Sequence, residues 1–196
     1  MQTRDSPDTV KAGIPSEMGM RILGKGGIAL SPDDQHILYL IRDAIASCND
    51  NLDKRRFNDA AHDLYEFIWH QFCDWYVEYS KSVLYEAQQD RREHVLRVAH
   101  FVFSNVLRLL HPFMPFITEE LWLAMGYGSA GGTISAAPWP AAVDDQHLAD
   151  CGISRATVVY VDDKYDLIRS GRALRADYTI QPQPRYIYEL HDGIET

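Results

Sequence analysis

The chain is short of cysteine, of basic charge and of long apolar runs, and each shortage closes off a class of function. Its three cysteines, Cys48, Cys73 and Cys151, form no CxxC pair and leave one odd, so neither a disulfide framework nor a zinc ribbon is indicated. Cys48 and Cys73 fall on apolar helix faces and are expected in the core. Lysine and arginine number 19 against 28 aspartates and glutamates, a net charge of -9. That balance excludes an indiscriminate nucleic-acid binder and confines any RNA contact to one local basic face. No segment approaches the ~18 consecutive apolar residues of a membrane helix, and the N-terminus MQTRDSPDTV lacks a signal peptide's apolar run. A cytoplasmic protein without a membrane partner is expected.

What the chain does have is apolar content, 46% of 196 residues, enough for one core with a small appendage. Residues 1–30 mix Pro, Gly and Ser and are expected to form a flexible lead-in. Within it, Gly19 to Lys25 fits G-x-x-x-x-G-K, but Gly26 stands where Ser or Thr would hold magnesium and no apolar strand precedes it, so no nucleotide loop is assigned. A first helix opens with Ser31 as N-cap, Pro32 at the first helical position and Asp33 and Asp34 in the first turn. Its core stripe is Ile37, Ile41, Ala44 and Cys48, widened by Leu38, Ile45 and Leu52. Gln35, Tyr39, Arg42 and Asn49 lie opposite.

After the polar turn NDNLDKRR a long second helix follows, with Asn58 as its candidate cap. Phe57, Ala61, Leu64, Ile68, Phe72, Trp75, Tyr79 and Val83 recur by threes and fours and predict a single buried stripe, with Trp75 in the core. Trp69, Tyr76 and Tyr85 lie off it. A polar connection, YEAQQDRREH, leads to a third helix from near Arg92 to Leu110, with Val95, Val98, Val102, Val106 and Leu109 at core spacing. Pro112 and Pro115 then kink HPFMPF into a corner. A fourth helix runs through Thr118 to Trp122 and stops at Gly126.

These elements predict a mainly α fold: an antiparallel helical bundle over 31–127, a Gly/Ala/Pro-rich linker over 128–152, and a small, truncated α/β subdomain over 153–196. In that subdomain ATVVYV (Ala156 to Val161) and RYIYEL (Arg185 to Leu190) are expected strands flanking a helix from Asp163 to Asp177, a β-α-β appendage.

Candidate chemistry is sparse. His70, Cys73 and Asp74 have metal-ligand spacing on one helix but lack a partner from elsewhere, so no metal is assigned. His62 and His111 belong to helix faces or the proline corner. Glu119 and Glu120 begin a helix, where exposed amides favour negative charge. No nucleophile with a base is visible, and no catalytic residue is assigned.

Four stretches carry a family resemblance: RFNDAAHDLYEFIWHQFCDWYVEYSK (Arg56 to Lys81), VLRLLHPFMPFITEELW (Val106 to Trp122), ISAAPWP (Ile134 to Pro140) and IRSGRALRADYTIQP (Ile168 to Pro182). Together they resemble the anticodon-binding domain of valyl-tRNA synthetases. The proline corner is shared by class I synthetases for hydrophobic amino acids, and the FCDWY segment favours valine over isoleucine or leucine. Neither H-x-G-H nor K-M-S-K-S, the ATP-handling signatures of that class, occurs, and SKS at Ser80 to Ser82 falls within a helix. The resemblance therefore implies a non-catalytic part of a valine-tRNA ligase, holding the anticodon of tRNA(Val) and joined to the remainder of a synthetase chain. ATP with magnesium belongs to the parent enzyme, and no cofactor is expected here. One departure is DDQH at Asp33 to His36, where relatives often read ADRW.

RNA recognition by such a domain needs cations for phosphate and flat side chains for splayed bases. The candidates are Gln35, His36, Tyr39 and Arg42 on the first helix, Lys54, Arg55 and Arg56 in the turn, and Arg169, Arg172 and Arg175 spaced by threes in the tail. An ordinary solvated helix face remains the alternative for each residue of the first two groups, and pairing with Asp162 or Asp166 for the tail. Two other functions stay open: the equivalent module of an isoleucine or leucine enzyme, and a helical protein-interaction domain.

Overall fold

The structure, a computed structural model, describes residues 30–128 and 132–179. Helix α1 (Pro32–Asp53) starts as its sequence dictates. Ser31 Oγ accepts from the Asp34 amide at 3.2 Å, and the Asp34 carboxylate accepts from the Ser31 amide at 3.0 Å, a reciprocal cap for two orphan donors. Helix α2 (Phe57–Glu66) begins after Arg56, with no side-chain cap, so Asn58 does not serve as one. It continues through a π-helical segment (Phe67–Val77) into α3 (Glu78–Glu86). A break of only Ala87 and Gln88 separates it from α4 (Gln89–Leu110). After the proline corner come α5 (Pro115–Ala124), a 3₁₀ turn (Ile134–Ala136), α6 (Asp145–Asp150) and α7 (Arg155–Asp177).

The π segment changes which face is buried. The expected stripe has Phe57, Ala61, Ile68, Trp75 and Tyr79 on the buried face. The observed buried set is instead Ala60, Leu64, Phe67, Phe72, Tyr76 and Ser80. Phe67 and Phe72 are five apart, the π period, and that one extra residue per turn rotates everything beyond it. Tyr76, not Trp75, therefore enters the bundle; Phe57 and Ala61, which precede the π segment, are exposed because α2 already turns Ala60 and Leu64 inward. Trp75 is half-buried and stacks on Tyr165 of α7, with centroids 4.1 Å apart and planes at 10°. Cys73 is exposed, against the expectation that it lies in the core, whereas Cys48 is buried as its stripe predicts.

Side-chain bonds give the strand of helices its order. Asp63 of α2 accepts from Ser47 and Asn51 near the end of α1, whereas Tyr76 and Tyr79 bond Asp34 and Ser31 at its start. The second helical run is thus antiparallel to α1. Residues such as Leu38, Ile41, Cys48, Leu64, Val98, Val102 and Leu109 fill the core between α1, α2 and α4. A smaller cluster, Leu107, Trp122, Tyr127 and Ile134, lies where α5 turns back on α4. Gly126 at φ 70° provides the left-handed turn that ends α5.

The expected β-α-β appendage is not seen. Ala156–Val161 lies inside α7, capped by Ser154, whose hydroxyl accepts from the Thr157 amide at 3.1 Å. Val158 and Val161 are buried while Val159 and Tyr160 face solvent, a helical and not an alternating pattern. Packing against α1 overrides the β-branched composition that suggested a strand. The second expected strand, Arg185–Leu190, lies outside the described residues.

Two consequences are measurable. Asp34 is 0% exposed and is bonded by the Tyr76 hydroxyl at 2.9 Å and the Arg91 guanidinium at 2.6 Å. Burial acts to lower the Arg91 pKa, and the Asp34 carboxylate outweighs it, holding the guanidinium above its ordinary value. Asp34→Asn should destabilise the chain by about 3 kcal/mol in a urea melt, the cost of stranding a buried charge. The second consequence concerns pH. Burial holds His94 and His100 below the usual histidine range. Nε2 of His94 meets no hydrogen-bond partner among the described residues, and His100 Nδ1 lies 2.8 Å from the Tyr127 hydroxyl. Both stay neutral in the fold while the unfolded chain binds protons near pH 6.5, so their contribution is complete above that value and lost as pH falls. Thermal melts at about pH 7.5 and about pH 5.5 should show this loss, reduced in the double variant His94→Gln/His100→Gln.

Candidate nucleic-acid interface

The first helix was expected to present Gln35, His36, Tyr39 and Arg42 outward. Instead α6 and α7 cover that side. His36 is 2% exposed, with Nε2 2.9 Å from Asp162 of α7 and its ring edge-on to Tyr165. It is a packing residue and offers no stacking surface. Gln35 donates to the Leu30 carbonyl at 3.2 Å and is half-buried. The Tyr39 hydroxyl accepts from Arg155 at 3.1 Å, and the Arg42 guanidinium lies 4.6 Å over the Tyr39 ring. Arg42 also pairs with Asp43 and, at 3.0 Å, with Asp145 of α6. Asn49, further along, is taken by the 138–140 segment: its Oδ1 accepts from the Trp139 indole at 2.7 Å and its amide donates to the Pro140 carbonyl.

The turn after α1 keeps its cations at the surface. Lys54 and Arg56 share Asp50, at 2.7 and 3.0 Å, and Arg56 approaches Asp59 at 3.8 Å. Those contacts hold the Asp50 carboxyl below its ordinary range, first through the Lys54 hydrogen bond. Arg55 is exposed, adopts φ 57° and pairs with no carboxylate among the described residues. A left-handed arginine in a tight turn is uncommon. Phe57, 58% exposed, adjoins it.

The tail cations lie elsewhere. Arg169 is tied to Asp166, and Arg169 and Arg172 sit 5.5 and 5.4 Å from the Trp75 ring centroid. Together with His70, Asp74 and Glu78 they line a cleft of about 730 Å³. Arg175 is half-buried with contacts of its own. Because α7 runs antiparallel to α1, through Tyr39–Arg155, His36–Asp162 and Asp33–Tyr165, this group lies at the start of α1. The Lys54–Arg56 turn lies at its end. Even His36 and Lys54 are about 27 Å apart along the helix. The fold thus separates the candidates into two groups.

Sequence reasoning missed a feature of the surface between them. Tyr65 and Trp69, 55% and 54% exposed, stack with planes at 4° and centroids 6.3 Å apart. His70 meets the edge of Tyr65. The signal was present: Tyr65 and Trp69 are four apart and both lie off the expected stripe. Among the described residues no group of three His, Cys, Asp or Glu side chains converges. His70 approaches Asp74 and Glu66, at 3.4 and 3.9 Å, in ordinary surface contacts. His111 bridges the corner, bonding Thr118 at 2.8 Å and Ser135 at 3.0 Å.

Comparison with known proteins agrees with the bundle. Residues 34–186 match the family model described as the anticodon-binding domain of tRNA ligase. The chain is 38% identical over 153 residues to a valine–tRNA ligase of Geobacter sulfurreducens, covering 78% of the chain and 17% of that protein. It is 36% identical over 144 residues to that of Bacillus cereus (74% and 15%) and 32% over 173 residues to that of Aquifex aeolicus (80% and 14%). The chain thus spans about one-sixth of the Geobacter relative.

The different surroundings of the cations give a direct test. Arg55→Gln should leave stability within about 0.5 kcal/mol of the parent in a urea melt. His36→Ala, which empties a buried site, should cost about 2 kcal/mol. Equal effects would mean that the Arg55 side chain is not free.

Proposed function

The chain belongs to the family of anticodon-binding domains of tRNA ligases, and from that premise we propose that it is the anticodon-holding module of a valine–tRNA ligase. The observation that carries this reading is the family match over 34–186, which spans α1 through α7. Its relatives named above carry the valine assignment. Such a module performs no bond-making. It fixes one end of the tRNA so that the acceptor end reaches a distant site, and its contribution is positioning and discrimination between tRNAs.

The residues proposed for RNA are those whose cations remain free or shared at the surface: Lys54, Arg55 and Arg56 at one end of α1, Arg169 and Arg172 at the other. Tyr39 stays partly exposed between them, whereas the Arg42 side chain is only 15% exposed and is held by Asp43 and Asp145. ATP, magnesium and valine are handled in this reading by the rest of the ligase chain. The corner supports such an intramolecular partner, because Met114, Phe116 and Ile117 are exposed there and Phe116 is 90% accessible. Among the described residues no helix is long and apolar enough to cross a membrane, and the module is proposed to work in the cytoplasm with tRNA.

Two measurements test this. The isolated chain should give no ATP–pyrophosphate exchange with valine, since it lacks both H-x-G-H and K-M-S-K-S. It should bind a valine anticodon stem-loop more tightly than an isoleucine one. Arg55→Gln should weaken both by the same factor and reduce the salt slope by about one. Equal affinity for the two stem-loops, or no dependence on Arg55, would count against the assignment.

A further inference from the structure

The surface between the two cation groups has chemistry of its own. The Tyr65–Trp69 pair forms a flat, exposed aromatic shelf on α2 and the π segment. His70 touches the edge of that shelf and also lines the neighbouring cleft of about 730 Å³. The cleft has two unlike walls. On α7, Arg169 and Arg172 are exposed, and Arg172 pairs with no carboxylate among the described residues. On the helix opposite, Asp74, 3.4 Å from His70, and Glu78, paired at one oxygen with Lys81 at 2.5 Å, present carboxylates. Trp75 forms the floor, held on one side by its stack on Tyr165, whose hydroxyl donates to Asp33 at 2.7 Å.

We propose that the Tyr65–Trp69 shelf and the adjoining Trp75–Arg172 cleft bind unpaired nucleotides of RNA, one base stacking on the shelf while the next enters the cleft. This rests on the tRNA-binding reading and names a second contact for it, away from the Lys54–Arg56 turn. A stacked aromatic pair accepts any base through its π face. The guanidinium of Arg172 takes the phosphate, and guanidinium planes also stack on bases. The carboxylates of Asp74 and Glu78 accept from an exocyclic amine, which cytosine carries and uracil lacks. A duplex offers only its phosphates, because its bases are already stacked and paired. The chemistry therefore selects single-stranded nucleotides, with amine-bearing bases preferred. A polyanion alone would not be drawn to the site, since two arginines face two carboxylates there.

The full chain titrated with hexacytidylate and hexauridylate at two salt concentrations decides the matter. Hexacytidylate should bind more tightly. Trp69→Ala should weaken both by about fivefold or more, Arg172→Gln should lower the salt slope by about one, and Asp74→Asn should narrow the difference between the two oligomers. All three side chains are at the surface or the cleft wall, and unchanged melts would confirm intact folding. Hexamer binding identical in wild type, Trp69→Ala and Arg172→Gln overturns the proposal. So does an absence of hexamer binding while the anticodon stem-loop still binds through Arg55, and in that case the anticodon reading stands. Stem-loops bound without anticodon preference, but dependent on Trp69, would remove that reading and leave the shelf.

Discussion

The carboxylate of Asp34 organises this structure. It sits in the first turn of α1, where exposed backbone amides favour negative charge, and it is shut off from water. Such a charge is tolerated only when every lone pair finds a donor. Ser31, Tyr76 and Arg91 supply those donors, so the cap of α1, the far part of the π segment and the start of α4 must meet at one point. Its neighbour Asp33 points to the other side, where Lys164 at 2.6 Å and Tyr165 at 2.7 Å draw in α7. Two consecutive aspartates thus join four helical elements.

That junction explains why the π segment matters. Only the extra residue between Phe67 and Phe72 brings the Tyr76 hydroxyl to Asp34 and turns Trp75 outward onto Tyr165. With Trp75 outside, α7 has an aromatic surface to pack on, and its arginines gather at the rim of a cleft. A helix of regular pitch would have buried Trp75 and left Tyr76 at the surface, with neither the Asp34 network nor the cleft. At the other end a different device applies. Arg108 is buried without a carboxylate, and burial pushes its pKa down to about 10. Its guanidinium instead donates to the carbonyls of Ser104 and Pro138 and to Asn105 Oδ1. This pins the PWP segment across the end of α4, next to the Asn49–Trp139 bond. The surface of α1 that the sequence offered to RNA is covered by this same chain.

Much was legible from local rules. The Ser31 cap, the stripe of α1 from Ile37 to Cys48, the stripe of α4 and the proline corner each follow from a period or a special residue, and the structure agrees with each. The Lys54–Arg56 turn could be placed because a polar run between two apolar periods must be exposed. The family, too, was visible in four stretches, since a motif is a property of the chain. What failed did so for tertiary reasons. Ala156–Val161 has strand composition but no strand to pair with among the described residues, and it becomes helix against α1. His36 and Tyr39 looked free because nothing in their own helix covers them; their partners Asp162 and Arg155 lie more than a hundred residues away.

By itself, then, the sequence determined that this is a helical bundle of the anticodon-binding kind, with the start of its first helix, its corner and most of its core. Those features depend on contacts within a few turns of chain, where period, caps and prolines act. The tertiary structure alone decided which polar residues remain available. Availability is set by whichever distant element packs over a side chain, and by a π turn that rotates one helix face by a single residue. That is why Trp75 ended in a cleft, His36 inside, and Tyr65 and Trp69 in solvent.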